Sequence, residues 1–478
     1  MHGLPRFLIC ASALGLLTAD PASAAKRIST DPYTNPDSQH ATQVEPDTFA
    51  FGATVVSAFQ TGRFFDGGAS NVGWATSQDR GKTWVKGFLP STTVNSTPPG
   101  PYDRLSDPTV AYDAKHQVWL ISTLGIDNGS GKAVLVSRST DGGLTWGAPV
   151  AVSTTTGFYD KNWIACDNTQ TSPHYGNCYT TWDDVNLGDR LLNSTSSDGG
   201  LTWGAKKTTA NSGTGLGGQP LAQPGGKVIV PALSAFADRI IAYNSTDGGN
   251  SWSSTITVAT ISEHGVAGDL RTLPLPSAEV DGAGKVYAVW QDCRFRSGCS
   301  SNDIVMSTST NGTTWTSPVR IPIDSTSSGV DHFIPGLAVD KKSSGSTARL
   351  ALTYYFYPNA SCTQSTCQLS VGFVSSIDGG ASWSVPLTLA GPMKLTDLAD
   401  TSQGVMVGDY ISTSFAGAKA VPVFAVAKPK SGGVFDEAMY ASKLRVTTQQ
   451  LYPLRVAHDP VLSPQGDKVE RTRHIVTR

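Results

Sequence analysis

The chain has 478 residues, a formal net charge of −2 and only 15% charged side chains. A nucleic-acid partner calls for a basic surface, so that class of function is excluded as an expectation. The 49 glycines, together with abundant Ser and Thr, favour many strands and tight turns over helices.

The first element in chain order is a leader. Arg6 precedes an apolar run from Phe7 to Leu17 and a small-residue site at Ala22, Ser23 and Ala24. This is the pattern of a secretory signal peptide over residues 1–24, because the run is too short to span a bilayer. No later apolar stretch reaches spanning length, so the expectation is a secreted chain, extracellular or periplasmic, with no membrane span. Residues 25–43 read as a polar leader, 44–446 as one repeat domain and 447–478 as a charged tail.

The repeat domain is organised by an octapeptide, Ser-x-Asp-x-Gly-x-(Thr or Ser)-Trp. It begins at Ser77, Ser139, Ser196, Ser245 and Ser376, and a shortened relative begins at Ser309 with Asn311 in place of Asp. Asp79, Asp141, Asp198, Asp247 and Asp378 suit a tight turn in which the carboxylate accepts backbone N–H groups and glycine supplies positive φ. Each Trp then buries an aromatic face against its own sheet. These residues are structural turn formers, and Asn311 serves the same purpose.

Ahead of each box lies an apolar strand, a turn and a second apolar strand. Examples are DPTVAYDAKHQVWLIS from Asp107, SAEVDGAGKVYAVW from Ser277 and PGLAVDKKSSGSTARLALTYYF from Pro335. Seven such units can be counted, six of them followed by a full or shortened box. Each unit supplies four antiparallel strands, so the fold class is all-β: a single β-propeller with seven blades favoured, six being possible if the first and last units share a blade. The boxes fall at third-to-fourth strand turns and are expected on one face.

Seven cysteines are present, of which Cys10 leaves with the leader. The other six fall into close pairs, Cys166 with Cys178, Cys293 with Cys299 and Cys362 with Cys367, and in an exported chain these read as local disulfides. Zinc spacing is absent, so no metal and no cofactor are expected.

Chemistry is expected at the mouth opposite the boxes, where second-to-third strand loops and blade-to-blade links converge. Those segments carry Arg63, Arg104, Asp107, Asp160, Lys161, Arg271, Asp292, Arg294, Asp331, His332, Asp409 and Tyr410. Several arginines aimed at one channel call for carboxylates or anions to neutralise them.

The boxes and the all-β plan from about Glu45 to Thr447 resemble the sialidase superfamily and its Asp-box relatives. The resemblance implies an arginine clamp for a sugar carboxylate, here Arg63, Arg271 and Arg294 with Arg104 as a spare. It also implies Asp107 or Asp160 as acid/base and Tyr410 as nucleophile, with Asp292, Asp331, His332 and Asp409 lining the substrate site. The expected function is an exo-α-sialidase-like glycoside hydrolase, monomeric, acting on acidic extracellular glycans. A non-catalytic propeller that binds glycan or protein, and a polysaccharide lyase, are the alternatives.

Overall fold

The computed structural model describes residues 25–447 and 450–453. The leader 1–24 and most of the tail lie outside the described residues. Strands and turns make up the described chain, with four short 3₁₀ turns and no α-helix.

Seven antiparallel sheets follow one another. The first comprises Gln39–Phe51, Thr54–Arg63, Ala69–Ser77 and Val85–Phe88, and a single pair, Ala69 with Leu105, joins it to the second. The second sheet is Arg104–Asp113, Val118–Asp127, Ser130–Ser139 and Val150–Thr154. The third runs Tyr159–Cys166, Cys178–Asp184, Arg190–Ser196 and Lys207–Thr208. The fourth has a broken first strand, Gly215–Leu216 and Leu221–Ala222, then Val228–Ser234, Arg239–Ser245 and Ile256–Thr260. The fifth and sixth repeat the plan from Ser277–Val280 to Val319–Arg320 and from Asp331–Val339 to Leu387–Lys394.

The seventh sheet departs from the plan. Ser412–Ala416, Lys419–Ser431 and Val434–Ala441 supply three strands, and the fourth position is taken by Lys26–Arg27 from the other end of the chain. Residues 25–43, read from sequence as a polar leader, therefore contribute this edge strand and the start of the first sheet at Gln39. A two-residue, charged edge strand has no apolar pattern to betray it, because its stability comes from backbone pairing to Tyr440 and Ala441. First strands of successive sheets lie against one another, and that of the seventh lies against that of the first.

Each sheet is buried on both faces by its neighbours. Tyr287, Val289 and Met306 of the fifth sheet pack with Leu337, Leu350, Leu352 and Trp383 of the sixth, and comparable apolar clusters fill the other seams. The six boxes sit between third and fourth strands, as their spacing predicts. In each full box one aspartate oxygen accepts backbone N–H groups: Asp141 Oδ1 takes those of Leu144 and Thr145 at 3.0 Å, while its Oδ2 takes the Thr145 hydroxyl at 2.6 Å. Against the upward pull of burial, these bonds hold the Asp141 carboxyl down at about 2. Gly142 and Gly143 adopt φ of 84° and 81°, which an L side chain resists, and a β-carbon on Gly143 would meet Val56 of the preceding sheet at 2.7 Å.

The three disulfides pair Cys166 with Cys178, Cys293 with Cys299 and Cys362 with Cys367, each within one sheet or loop, as the sequence predicts. No helix among the described residues is long and apolar enough to cross a membrane.

Candidate active site

Four of the first strands share one irregularity. Their pairing slips between Val44 and Asp47, between Ser106 and Thr109, between Asp160 and Trp163, and between Phe333 and Gly336. At each slip a residue with a β-carbon takes positive φ: Glu45 at 56°, Asp107 at 47°, Lys161 at 48° and Ile334 at 48°. Left-handed backbone costs about 1–2 kcal/mol for such residues, and strain of this kind gathers at functional sites. The repeated bulge re-aims side chains from regular pleat positions toward the space that the first strands enclose.

Three of these residues meet there. Lys161 Nζ lies 3.4 Å from Asp107 Oδ1 and 3.8 Å from Glu45 Oε1, and it donates a short hydrogen bond to Asp409 Oδ2. Arg271 clasps the same Asp409 in bidentate fashion, Nε to Oδ1 at 2.7 Å and a terminal nitrogen to Oδ2 at 2.5 Å. Glu45 accepts from the Gln60 amide, and the Gln60 carbonyl oxygen accepts from Arg63 at 2.9 Å. Arg63 is buried with its Nε unpartnered, and Asp160 faces Asp183 directly across the third sheet. Asp183 Oδ1 is likewise buried without a hydrogen-bond partner.

Burial on this scale drives the carboxyls apart in acidity. Burial, with Asp107 beside it, pushes Glu45 up to about 8. Burial raises Asp160 to about 6 despite the neighbouring Lys161, and burial with Asp160 opposite keeps Asp183 well above the usual range. Asp409 goes the other way: against burial, Arg271 and Lys161 hold it well below an ordinary carboxylate. Burial and then Arg271 lower Arg63 to about 10. Groups separated in this manner can divide acid and base roles within one cleft.

Asp107, Lys161 and Asp409 line a cleft with Trp163, Tyr410, Gln219, Ser277 and Ile334. The Trp163 and Tyr410 rings meet edge to face at 5.1 Å. The Tyr410 hydroxyl donates to the Pro108 carbonyl at 3.1 Å, and burial, with Glu45 next, raises it well above an ordinary phenol. Tyr410 therefore meets the cleft as a ring whose oxygen is already engaged, which differs from the free nucleophile that the sequence resemblance implies.

The remaining predicted residues are dispersed. Arg294 is salt-bridged to Asp292 in its own loop and bonds the Thr260 carbonyl at the end of the fourth sheet, while Arg63 and Arg271 are coupled to the cluster. Arg104 pairs with Asp66 and stacks on Phe64 at 4.2 Å. Asp331 accepts from Asn302, and buried His332 places Nδ1 3.2 Å from the Asn302 carbonyl. His332 also lies within metal-ligating reach of Asp303 and Asp324. Both of those carboxylates are bridged by Arg296 and Arg320, so cations already occupy that trio's oxygens. Glu45 and Gln60 belong to the cluster, and the sequence does not single them out as site residues. A dipeptide signal was available, since Glu45, Asp107 and Ile334 each precede a proline at the same place in their unit.

The raised carboxyls make stability depend on pH. Glu45 at about 8, Asp47 at about 7, and Asp160 and Asp331 at about 6 all exceed their unfolded values. The folded state therefore holds the extra protons, and this stability is complete below the unfolded values and lost as pH climbs through the folded ones. The box aspartates, held low, contribute stability that disappears in acid. Melting temperature is expected to fall from pH 5 to pH 8 and to fall again below about pH 4. A calorimetric series that rose steadily from pH 5 to 8 would contradict the assignment.

Residues 68–283 match the BNR repeat-like domain family. Among solved structures, a Dyadobacter fermentans protein of unknown function aligns over 89% of this chain and 100% of its own, at 14% identity and a TM-score of 0.46. An intramolecular trans-sialidase from Ruminococcus gnavus, complexed with oseltamivir carboxylate, aligns over 89% of this chain and 99% of its own, at 14% identity and a TM-score of 0.42. An α-L-arabinofuranosidase from Fusarium graminearum covers 74% of this chain and 98% of its own, at 14% identity and a TM-score of 0.44. No curated protein matches the chain.

Proposed function

From the premise that this chain carries a BNR repeat-like domain of the sialidase-like, Asp-box kind, we propose that it is a secreted glycoside hydrolase acting on acidic glycans. In this reading the seven sheets are the blades of one propeller, the leader is cleaved on export, and the three disulfides suit an oxidising compartment. The observation that carries the reading is Asp107 and Lys161, set on strained bulges and lining an aromatic-walled cleft, with Asp160 bonded to the Lys161 N–H.

Asp160 is the proton donor. It is part-exposed, and its carboxyl at about 6 retains a proton in mildly acidic surroundings. As the glycosidic bond breaks, its electron pair stays on the leaving oxygen, which takes the Asp160 proton. Asp107, kept close to Lys161, stabilises positive charge at the anomeric carbon or accepts the proton of the attacking water. Arg271, with an 18% exposed side chain, is the most accessible cation of the cluster and meets the sugar carboxylate. Because the donor must be protonated, activity should decline as pH rises through about 6.

The test is incubation with sialoside and uronate glycans followed by product analysis. Released intact sugar supports hydrolysis, an unsaturated uronate absorbing in the ultraviolet indicates a lyase, and binding without turnover indicates a non-catalytic propeller. The last reading has an observation of its own in the mutual pairing of Arg271, Lys161 and Asp409, which leaves the cluster neutralised without ligand. Arg271→Lys should weaken acidic-glycan binding at least tenfold, since an ammonium cannot reproduce the bidentate fork, whereas Arg294→Lys should change it less than threefold. Equal losses in the two variants would restore the three-arginine clamp.

A further inference from the structure

A second depression, of about 390 Å³, is bordered by Gln39, Phe65, Asp269, Gln364, Asp400 and Phe435. Its size falls in the range of about 300–1,000 Å³ common to ligand clefts. It is formed where four segments are tied together. The Ser402 N–H donates to the Phe65 carbonyl at 2.9 Å, and the Gln39 amide exchanges two bonds with the Asp400 backbone at 2.7 and 2.8 Å. The Cys362–Cys367 bridge pins the loop bearing Gln364. Phe435 is held under Lys430 at 3.7 Å.

The groove adjoins the cleft through a single short segment. Val405 donates its N–H to the Asp269 carbonyl and accepts from the Arg271 N–H, so Asp269 in the groove stands two residues from the arginine that clasps Asp409. Phe65 is 56% exposed despite its anchored backbone. No described side chain hydrogen-bonds the carboxylates of Asp269 or Asp400. Flat apolar rings beside open acceptors match the two surfaces of a pyranose, its C–H face and its hydroxyl edge. Two carboxylates repel an anionic sugar and favour a neutral one.

We propose that this groove binds a neutral sugar unit of the glycan whose acidic unit occupies the cleft, which makes the natural ligand an oligosaccharide rather than a single acidic sugar. The proposal rests on the glycan reading above, yet its test requires no turnover. The full-length protein is titrated by calorimetry or NMR with lactose, cellobiose and maltose. At least one should bind in the millimolar range, and that affinity should weaken at least fivefold in Phe65→Ala and in Asp269→Asn. Both positions are exposed, and Asp400→Asn offers an independent check should either variant fail to fold. Binding of N-acetylneuraminic acid should not compete with the neutral disaccharide. Absence of binding by all three disaccharides, or binding indifferent to these variants, overturns the proposal. A chain that binds them but cleaves no acidic glycan refutes the hydrolase and leaves the groove standing.

Discussion

Asp160→Asn is expected to lower turnover of an acidic glycan by about 10²–10⁴, the usual contribution of a positioned proton donor, while leaving the melting temperature unchanged or slightly raised. The amide keeps the acceptor that takes the Lys161 N–H at 3.0 Å, so local geometry persists. It also removes a carboxyl whose charged form is disfavoured by burial, which is why stability should not suffer. Tyr410→Phe supplies the contrast. That variant keeps the ring against Trp163 and loses only the bond to Pro108, so a drop of less than tenfold is expected. A loss as large as that of Asp160→Asn would identify Tyr410 as the nucleophile, and wild-type turnover by Asp160→Asn would end Asp160's role as donor.

The second large effect is structural. Lys161→Met should destabilise the protein by about 3–5 kcal/mol, the range for removing one member of a buried ion pair. Its ammonium is 6% exposed and faces Asp107, Asp409 and Glu45, so truncation leaves buried carboxylates whose remaining nearby cation is chiefly Arg271. The penalty should depend on pH with a definite sign. Without Lys161 part of the pull that holds Asp409 low is gone, so the deficit is small where that carboxyl can protonate and grows as pH rises. Denaturant unfolding of wild type and variant at pH 5 and pH 8 measures this, and a deficit that shrinks toward pH 8 would show that Lys161 is not its counter-charge.

Local features were legible from sequence because their causes are local. The six boxes, from Ser77 to Trp383, are turns closed by a carboxylate or amide three or four residues from the N–H groups it binds, and the structure shows that bonding. The disulfides span at most 12 residues and follow from spacing alone. The mouth was legible in part: Asp107, Asp160, Arg271 and Asp409 were singled out and do gather. Arg294 was placed with them because its loop lies on that face, yet Asp292 two residues away captures it first.

What the sequence by itself determined is the repeating four-strand unit, its turn chemistry and its cross-links, each governed by interactions that close within one unit. Tertiary structure decided which charges meet. Lys161 and Asp409 are 248 residues apart, Glu45 and Asp409 are 364 apart, and Lys26–Arg27 completes a sheet otherwise built from residues beyond 411. No periodicity encodes such partners, because a buried ion pair depends on where the strands end up, and its acidity on how much water the surrounding sheets exclude. The bulges at Glu45, Asp107 and Lys161 turn those side chains inward, and the burial that follows makes the cluster a candidate for chemistry.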